Sequence, residues 1–430
     1  MKIYNYKNLS EEQVRRLFKR SAIDTKKISS LVNQILADVK KNGDRAVLKY
    51  ARKFDGLLGH SIRLTSTEIL KAAKKLDNAT KAAIDEAAGN IEKFHLKQLP
   101  TSYTIDTMPG VKCWRKHLPI ENVGLYIPGG SAVLVSTMLM LGIPAKIAGC
   151  KRIIVSSPIH GNENNPALAY AAKICGVKEF YKIGGAHAIA LMAYGTASTK
   201  KVDKVFGPGN QFVTAAKILV SNDPDGCTID MPAGPSEVLV IADEFANPGF
   251  VASDLLAQAE HGADSQVILL TTSFKLAYET LVEIHNQIKK LPRKKLATRS
   301  LASSFIMIVP SIKQAIKLSN EYAPEHLIMN LRQAGKYIAN VRNAGSVFIG
   351  AYSPVSVGDY ASGTNHSLPT YGYAKSVGGV SVESFMKSIT FQELTLGGLK
   401  KISHTVIQLA ETEKLGAHAN SVKVRLQNGN

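Results

Sequence analysis

From Glu121 onward, short β-branched runs, glycine-rich turns and longer helical patterns alternate along the chain. This alternation is typical of strand-helix-strand units, in which parallel strands form one sheet and helices cover its faces. It continues to about residue 235 and resumes at Glu237. The sequence therefore predicts an α/β protein with two doubly wound units.

The first of these stretches carries a weak internal duplication, in which each half contains a strand, a double glycine, a helix and a second strand. The double glycines are Gly129-Gly130 and Gly184-Gly185. The strands predicted over both stretches are 122–127, 152–156, 179–183, 202–206, 238–241, 266–270, 305–309, 326–329 and 346–349.

The first hundred residues are mostly amphipathic helix, starting with a segment that Ser10 can cap. After about Gly379 no further strand is predicted, and Lys400–Asn420 has the pattern of a helical tail. That tail is too small to hold its own core, so we expect it to pack on the body or on a neighbouring subunit. The predicted fold class is α/β, with two incomplete Rossmann-like doubly wound domains and helical N-terminal and C-terminal extensions.

The chain is basic, because its 53 Lys and Arg residues exceed its 34 Asp and Glu residues and give a net charge of +19. A polyanion-binding protein is therefore one class to consider. The basic residues are spread along the chain, and the densest cluster, Lys289–Arg299, lacks the interleaved aromatic residues of a nucleic-acid-binding stripe. We expect no nucleic acid as a partner.

Neither a membrane nor an oxidising compartment is indicated. No apolar run reaches the roughly 18 residues of a membrane span, and the first twenty residues lack the apolar stretch of a secretory signal. The cysteines form no C-x-x-C pair, which argues against a disulfide framework and a thiolate zinc site. They are Cys113, Cys150, Cys175 and Cys227. We expect a cytoplasmic protein.

The dinucleotide-binding pattern G-x-G-x-x-G is absent as an intact strand-to-helix motif. A cofactor would instead be held by the two double-glycine turns and by Gly207-Pro208-Gly209-Asn210. Each loop follows a predicted strand, and open α/β sheets bind ligands at the carboxyl ends of their strands. A plain tight turn is the alternative for any single loop. Three loops at equivalent positions favour close approach of backbone amides to a phosphate.

Nitrogen and oxygen donors that suit zinc occur in separate places along the chain. Gln258 and His261 are three residues apart, which places them on one face of a helix. Asp359 and His366 lie in a Gly- and Ser-rich segment. Taken singly, the first pair is also typical of a surface helix, and the second pair is also typical of a solvated loop.

Two further pairs complete the set of candidates. The tail holds Glu413 and His418, for which a charged helix face is the alternative. Glu325 and His326 are adjacent, and adjacent side chains point in different directions on a regular backbone. We therefore expect them to address different atoms of a substrate rather than each other. Histidine suits a proton-transfer base and a carboxylate suits activation of water, although a strand-edge pair without a role is the alternative.

These motifs, in this order, closely resemble those of the histidinol dehydrogenase family. The match extends from about Asn122 to His418. It runs through VGLYIPGG, GGAHAIA, VFGPGN, IDMPAGPSE, LLAQAEHG, YAPEHL and GDYASGTNH, several of which are specific to that family.

The resemblance implies an enzyme that oxidises L-histidinol to L-histidine through L-histidinal, the last steps of histidine biosynthesis, with two hydride transfers to NAD. It also implies a homodimer with shared active sites and one zinc ion per subunit, which anchors the substrate. The implied zinc ligands are Gln258, His261, Asp359 and His418. His326 would be the proton-transfer base, and Glu325 would activate water for the aldehyde stage.

The resemblance also implies the remaining contacts of substrate and cofactor. Ser236, His366 and Glu413 would complete the substrate pocket, beside the zinc ligands and the catalytic pair. The residues expected to meet NAD are Tyr126, His187 and Asn210. His187 is a departure, because the family's second glycine turn usually continues as GGAQAIA. Histidine is bulkier than glutamine and can be cationic beside a pyrophosphate.

The predicted domains follow the alternation of elements and the expected site. Residues 1–20 form an N-terminal helical extension, and residues 21–120 with 236–380 form the larger α/β domain. Residues 121–235 form an inserted α/β domain on the NAD side, and residues 381–430 form a helical tail that contributes to the partner subunit's site.

Two rival hypotheses stay open. A cysteine nucleophile, Cys113 or Cys150, would form a thiohemiacetal with the aldehyde, although neither lies in a motif that visibly activates a thiol. A polyanion-binding module would exploit the net charge, but it has no need for the predicted zinc ligands.

Overall fold

The structure, a computed structural model, describes residues 1–20, 25–59, 61–129, 133–158 and 165–427, so that Gly130 of the first double glycine lies outside the described residues. The α-helices are α1 (Glu11–Leu17), α2 (Thr25–Phe54), α3 (Ser66–Lys74), α4 (Asn78–Leu96), α5 (Val135–Ala148), α6 (Pro166–Ile174), α7 (Gly185–Tyr194), α8 (Gln211–Asn222), α9 (Pro248–Ala259), α10 (Phe274–Ile288), α11 (Lys294–Ala302), α12 (Ile312–Tyr322), α13 (Val355–Tyr360), α14 (Leu396–Thr412) and α15 (Gly416–Gln427). The strands are β1 (Lys2–Asn5), β2 (Arg63–Leu64), β3 (Tyr103–Met108), β4 (Val111–Pro119), β5 (Asn122–Tyr126), β6 (Arg152–Ser156), β7 (Glu179–Tyr181), β8 (Lys204–Phe206), β9 (Thr228–Ile229), β10 (Glu237–Ala242), β11 (Gln266–Thr271), β12 (Phe305–Ile308), β13 (His326–Asn330), β14 (Ser346–Ile349) and β15 (Met386–Leu394).

Two large sheets organise the described part of the chain. Sheet I has the strand order β2-β7-β6-β5-β8-β9 and is parallel except for β2, which is antiparallel to β7. Sheet II has the order β1-β12-β11-β10-β13-β14 and is parallel throughout. A small antiparallel sheet, β15-β4-β3, joins the C-terminal part of the chain to β4.

Both large sheets carry helices on both faces, because successive strand residues point to opposite sides and both sides are apolar. In sheet I, Val123 and Leu125 pack with α3 to α6, whereas Tyr126 packs with α2, α7 and α8. In sheet II, Val238 packs with α9, α10 and α11, whereas Leu239 packs with α12. This arrangement confirms the predicted fold of two doubly wound α/β units.

The predicted strands all appear, with ends within two residues of their expected positions. Ser10 caps α1 as predicted, through a capping box in which its side chain and that of Gln13 each accept from the other's backbone amide. None of the helices in the described ranges combines the length and apolarity that a bilayer crossing demands.

Three features of the chain's organisation differ from the predictions. A strand does follow Gly379, because β15 pairs along its length with β4, which is too distant in sequence for a local pattern to reveal. The first twenty residues are not only helical, since β1 extends sheet II beside β12. Helices α2 to α4 pack on sheet I, so they join the unit of residues 121–235 rather than that of 236–380. The apolar face of an amphipathic helix does not specify which sheet buries it.

A buried ion pair holds the loop that follows β8. Lys217 of α8 donates to Asp230 Oδ1 and, at 2.7 Å, to the carbonyl oxygen of Gly207. Asp230 Oδ2 accepts a 2.8 Å hydrogen bond from the Gly207 amide. Gly207 has a φ of +116°, and a Cβ there would overlap the carbonyl oxygen of Tyr126. Only glycine therefore fits this turn.

The substitution Lys217→Met would leave the buried Asp230 carboxylate without its cation. We expect it to lower the free energy of unfolding by about 3–5 kcal/mol, measured by urea denaturation followed by circular dichroism. Lys151→Met, which breaks the exposed pair with Glu121, is the control and should change the midpoint little. Equal midpoints for the two variants would contradict a stabilising role for the buried pair.

Candidate active site

A cavity of about 860 Å³ lies between the two large sheets, within the usual range of ligand sites of about 300–1,000 Å³. Sheet I lines it with residues from the carboxyl ends of its strands, and sheet II with residues from the amino ends of its strands. Ten of the predicted site residues line this cavity: Tyr126, His187, Asn210, Ser236, Gln258, His261, Glu325, His326, Asp359 and His366.

Two of the predicted glycine loops lead from sheet I directly into helices. Gly184 precedes α7, and Asn210 caps α8 by accepting hydrogen bonds of 3.0 and 3.1 Å from the amides of Phe212 and Val213. Both loops line the cavity. The amide groups at a helix N-terminus favour an anion, so this edge of sheet I can receive a phosphate group.

His187 is bonded to an acidic side chain that sequence analysis did not single out. Its Nε2 lies 2.8 Å from Asp55 Oδ2, and both side chains are buried. Asp55 also accepts hydrogen bonds from the Gly184 amide at 3.2 Å. Beside this pair, the Tyr126 hydroxyl accepts a 3.1 Å hydrogen bond from the Gly185 amide. Burial raises the pKa of Tyr126 to about 12, so its hydroxyl is neutral.

The predicted zinc ligands of this part of the chain come from two helices. Gln258 lies in the last turn of α9 and His261 follows it, whereas Asp359 belongs to α13 and not to a loop as predicted. The Gly- and Ser-rich composition around α13 predicts a loop, so the sequence pattern did not reveal this short helix. His261 opens onto the cavity yet is surrounded by protein atoms, and this desolvation lowers the pKa of its imidazole. The neutral imidazole is the form that binds metals.

Gln258 provides a direct test of whether these residues fit a metal ion. It is 1% exposed, and its Oε1 has no hydrogen-bond partner within the described part of the chain. A buried acceptor without a donor is costly, and a cation would satisfy it. Among the described residues, no group of three His, Cys, Asp and Glu side chains is arranged to hold a metal. The donor chemistry fits zinc, but a tetrahedral site needs a ligand beyond Gln258, His261 and Asp359.

Glu413 and His418 do not reach this cavity within the same chain. Glu413 immediately follows α14, His418 lies in α15, and both side chains are exposed. Neither residue lines the cavity. Their contribution to the site of a partner subunit stays a prediction.

The main chain of Glu237 contacts both residues of the predicted catalytic pair. Its amide donates a 2.8 Å hydrogen bond to Glu325 Oε2, and its carbonyl oxygen lies 3.1 Å from His326 Nδ1. Because a carbonyl oxygen only accepts, Nδ1 carries a proton. Nε2 of His326 lies 3.4 Å from Asp359 Oδ1 and has no hydrogen-bond partner among the residues that the structure describes.

The prediction that Glu325 and His326 would not contact each other is wrong. Glu325 Oε2 lies 3.4 Å from His326 Nδ1. Glu325 precedes β13, in a turn that begins at Ala323 with a φ of +54°. The alternation of side-chain directions holds only within a regular strand, so it does not separate a strand's first residue from the one before it.

These groups form an electrostatically coupled cluster. Burial raises the pKa of Glu325. Burial alone would lower the pKa of His326, but the Glu325 and Asp359 carboxylates outweigh it and raise that pKa to about 10. Burial likewise opposes ionisation of Asp359, yet the nearby His326 ring holds its pKa below the usual value. The His326 ring therefore lies between two carboxyl groups that favour its protonated form.

His366 connects the two halves of the site. Its Nδ1 lies 2.8 Å from the carbonyl oxygen of Asp359, and its Nε2 lies 3.1 Å from the hydroxyl of Thr137 in α5. Both ring nitrogens are therefore engaged by the protein. The ring lines the predicted substrate pocket and at the same time orients the backbone of Asp359.

Sequence analysis missed Asp55, Thr137 and Glu237, which bind predicted site residues. Asp55 directly follows the last residue of α2 and Thr137 lies in α5, and neither belongs to a motif with its own chemistry, so their local patterns carry no signal. Glu237 ends the family-specific string IDMPAGPSE, and this membership was its one signal. The contacts of all three join elements distant in sequence.

Comparison with known proteins identifies the family. The histidinol dehydrogenase family model matches residues 18–426. The chain is 51% identical over 428 residues to the histidinol dehydrogenase of Campylobacter jejuni and 50% identical over 427 residues to that of Bacteroides thetaiotaomicron, with 99% of both chains covered in each case. The crystal structure of histidinol dehydrogenase from Elizabethkingia anophelis is similar, with a TM-score of 0.94, 48% identity and coverage of 99% of this chain and 98% of that one. This chain therefore belongs to the histidinol dehydrogenase family of oxidoreductases.

Proposed function

We propose that the chain oxidises L-histidinol to L-histidine through L-histidinal, the last steps of histidine biosynthesis, with two successive hydride transfers to NAD. The observation that carries the proposal is the His326 Nε2 atom, for which none of the described residues provides a hydrogen-bond partner. Its ring lines the same cavity as the donors Gln258, His261 and Asp359 and the glycine loops of sheet I. Membership of the family supports the choice of substrate.

His326 is the proton-transfer base. With its Nδ1 proton held on the Glu237 carbonyl, the ring exchanges protons at Nε2, and the neutral ring, formed when Nε2 has released its proton, takes the hydroxyl proton of the substrate. The carbon that bears this hydroxyl then loses a hydride to NAD, and the alcohol becomes an aldehyde. The Glu325 and Asp359 carboxylates stabilise the imidazolium that forms.

Glu325 activates water at the aldehyde stage. The Glu237 amide holds its Oε2, which leaves Oε1 for a water molecule. Addition of water to the aldehyde gives a hydrate. As the second hydride leaves, His326 takes one hydroxyl proton of the hydrate, and the acid that results releases its other proton to become the carboxylate. Burial raises the pKa of Glu325, so its carboxylate is a stronger base than an exposed one.

Gln258, His261 and Asp359 would hold one zinc ion per subunit together with His418 from the second subunit of a homodimer. Bound there, zinc would supply an anchor for the imidazole and amino nitrogens of the substrate. The unpartnered Gln258 oxygen supports this assignment. Ser236, His366 and Glu413 from the second subunit would complete the pocket. An anchored substrate keeps one geometry through both oxidations, so the reactive aldehyde need not leave.

NAD would lie along the carboxyl edge of sheet I and accept hydride at its nicotinamide ring. Tyr126, His187 and Asn210 line this part of the cavity. The amides at the start of α7 and α8 suit the pyrophosphate. Asp55 binds His187 Nε2, so this nitrogen is not available to the cofactor.

The rival cysteine mechanism finds no support in the cavity. No cysteine is among the described residues that line it. Burial raises the pKa of Cys150 to about 12, which is the opposite of an activated thiol. Cys113, Cys150, Cys175 and Cys227 are all unpaired, in keeping with the reducing, cytoplasmic location that we propose.

The unaltered chain should form two NADH for each histidinol consumed, followed by absorbance. A chelator should abolish this activity and added zinc should restore it, because the substrate loses its anchor without the metal. Metal analysis should find one zinc per subunit. A yield of one NADH with accumulation of the aldehyde would contradict the two-step oxidation.

His326→Asn should slow both oxidations by about 100- to 10,000-fold, because each needs a proton to be moved at Nε2. Glu325→Gln should spare the first oxidation and slow that of supplied histidinal, because only the aldehyde requires activated water. The two rates are measured separately as NADH formation from each substrate. If Glu325→Gln matched the unaltered chain on histidinal, the water-activating role would be rejected.

A shared site predicts that two inactive chains can repair each other. His261→Asn and His418→Asn should each be inactive alone. In a mixed dimer one of the two sites receives both intact histidines, so co-expression should restore roughly a quarter of the activity under random pairing. The control pairs His261→Asn with Asp359→Asn, whose changes both lie in the body and should restore nothing. Failure of the first mixture would show that the tail serves its own chain.

A further inference from the structure

We infer that Arg20 is a positioning residue for catalysis, because it holds Glu237, whose main chain holds both Glu325 and His326. The inference rests on the proposed function, since it takes Glu325 and His326 as the catalytic pair. Arg20 does not line the cavity, so it acts through Glu237 and not on the substrate.

Arg20 forms a two-pronged, largely buried ion pair with Glu237. Its Nε donates to Oε1 at 2.6 Å and its Nη2 donates to Oε2 at 2.8 Å. The side chains are only 16% and 4% exposed. A guanidinium paired with both carboxylate oxygens fixes the orientation as well as the position of its partner. The side chain of Glu237 therefore has one arrangement available.

Glu237 transmits this constraint because it is the first residue of β10, next to the start of β13. Its amide and carbonyl groups bind Glu325 and His326 at 2.8 and 3.1 Å. Its Oε1 also accepts a 2.9 Å hydrogen bond from the Tyr371 amide. A shift of the Glu237 backbone would move the carboxylate and the imidazole together. Loss of Arg20 should therefore slow both oxidations and not only one.

Arg20 also holds the turn that delivers the catalytic pair. Its Nη2 donates to the carbonyl oxygens of Tyr322 at 2.8 Å and Ala323 at 3.3 Å, and its guanidinium lies 3.9 Å from the centre of the Tyr322 ring. These carbonyls end α12, where a cation is favoured. Ala323 has a φ of +54°, which is strained for a residue with a Cβ. Arg20 thus stabilises the turn two residues before Glu325.

Sheet I contains a matched ion pair without a link to the cavity. Arg152 donates to both oxygens of Glu179 at 2.7 and 2.9 Å, and to the carbonyl oxygens of Lys200 and Lys201 at 3.0 and 3.4 Å. The Arg152 and Glu179 side chains are 19% and 20% exposed. None of these four residues lines the cavity. Arg152 therefore has a chemistry like that of Arg20 and serves as the control.

The experiment compares Arg20→Met with Arg152→Met in the zinc-loaded enzyme. Both variants should lower the thermal midpoint, because each leaves a partly buried carboxylate unpaired. Only Arg20→Met should lower kcat, by about 10- to 100-fold for both histidinol and histidinal. The KM values and the zinc content should stay close to those of the unaltered enzyme. A kcat for Arg20→Met equal to that of Arg152→Met would overturn the inference. The proposed function would still stand in that case, provided that the unaltered enzyme forms NADH from histidinol.

Arg20→Lys covers the case in which Arg20→Met does not fold. Lysine keeps the charge but cannot bind both carboxylate oxygens in a fork. A folded Arg20→Lys variant with a reduced kcat supports the positioning role, and one with full kcat overturns it. An unaltered enzyme that forms no NADH from histidinol would reject the proposed function itself, and the positioning role with it.

Discussion

The site depends on the meeting of two unlike sheet edges. The carboxyl edge of sheet I presents backbone amides, which suit a phosphate-bearing cofactor, and the amino edge of sheet II presents the groups that can move a proton. Oxidation by hydride transfer needs both, because the base must reach the hydroxyl proton while the hydride acceptor reaches the carbon that bears this hydroxyl. The hydrogen bond between Thr137 and His366 crosses this junction. His366 also holds the backbone of Asp359, so the same ring contacts one of the predicted zinc ligands.

Charge at the amino edge of sheet II matches the proposed chemistry. The buried carboxyl groups of Glu325 and Asp359 lie on either side of the His326 ring, each 3.4 Å from one of its nitrogens. Uncompensated charge is costly in a protein interior. A divalent cation beside Asp359 would offset that cost. It would also neutralise part of the negative charge of Asp359, which favours the protonated form of His326. The metal ion and the base are therefore electrostatically linked.

The histidine in the second glycine turn is accommodated by the surrounding protein. Asp55 accepts from both His187 and the Gly184 amide, so one carboxylate holds the ring and the turn together. The rings of Tyr50 and Phe54 lie 6.1 and 6.2 Å from that of His187. The His187 ring is thus packed against neighbouring aromatic side chains.

The sequence by itself determined the strands, the glycine loops and the identity of most site residues. Hydrophobic period, turn-forming residues and family-specific strings are all local, and ten of the predicted residues do line one cavity. The partner that buries each apolar face is not local, which is why α2 to α4 and β15 were misplaced. Only the tertiary structure showed that Glu237 binds Glu325 and His326, through contacts that span 88 and 89 residues of the chain. Glu237 makes these contacts with its main-chain amide and carbonyl groups, which every residue except proline has. A pattern of side chains therefore cannot predict them.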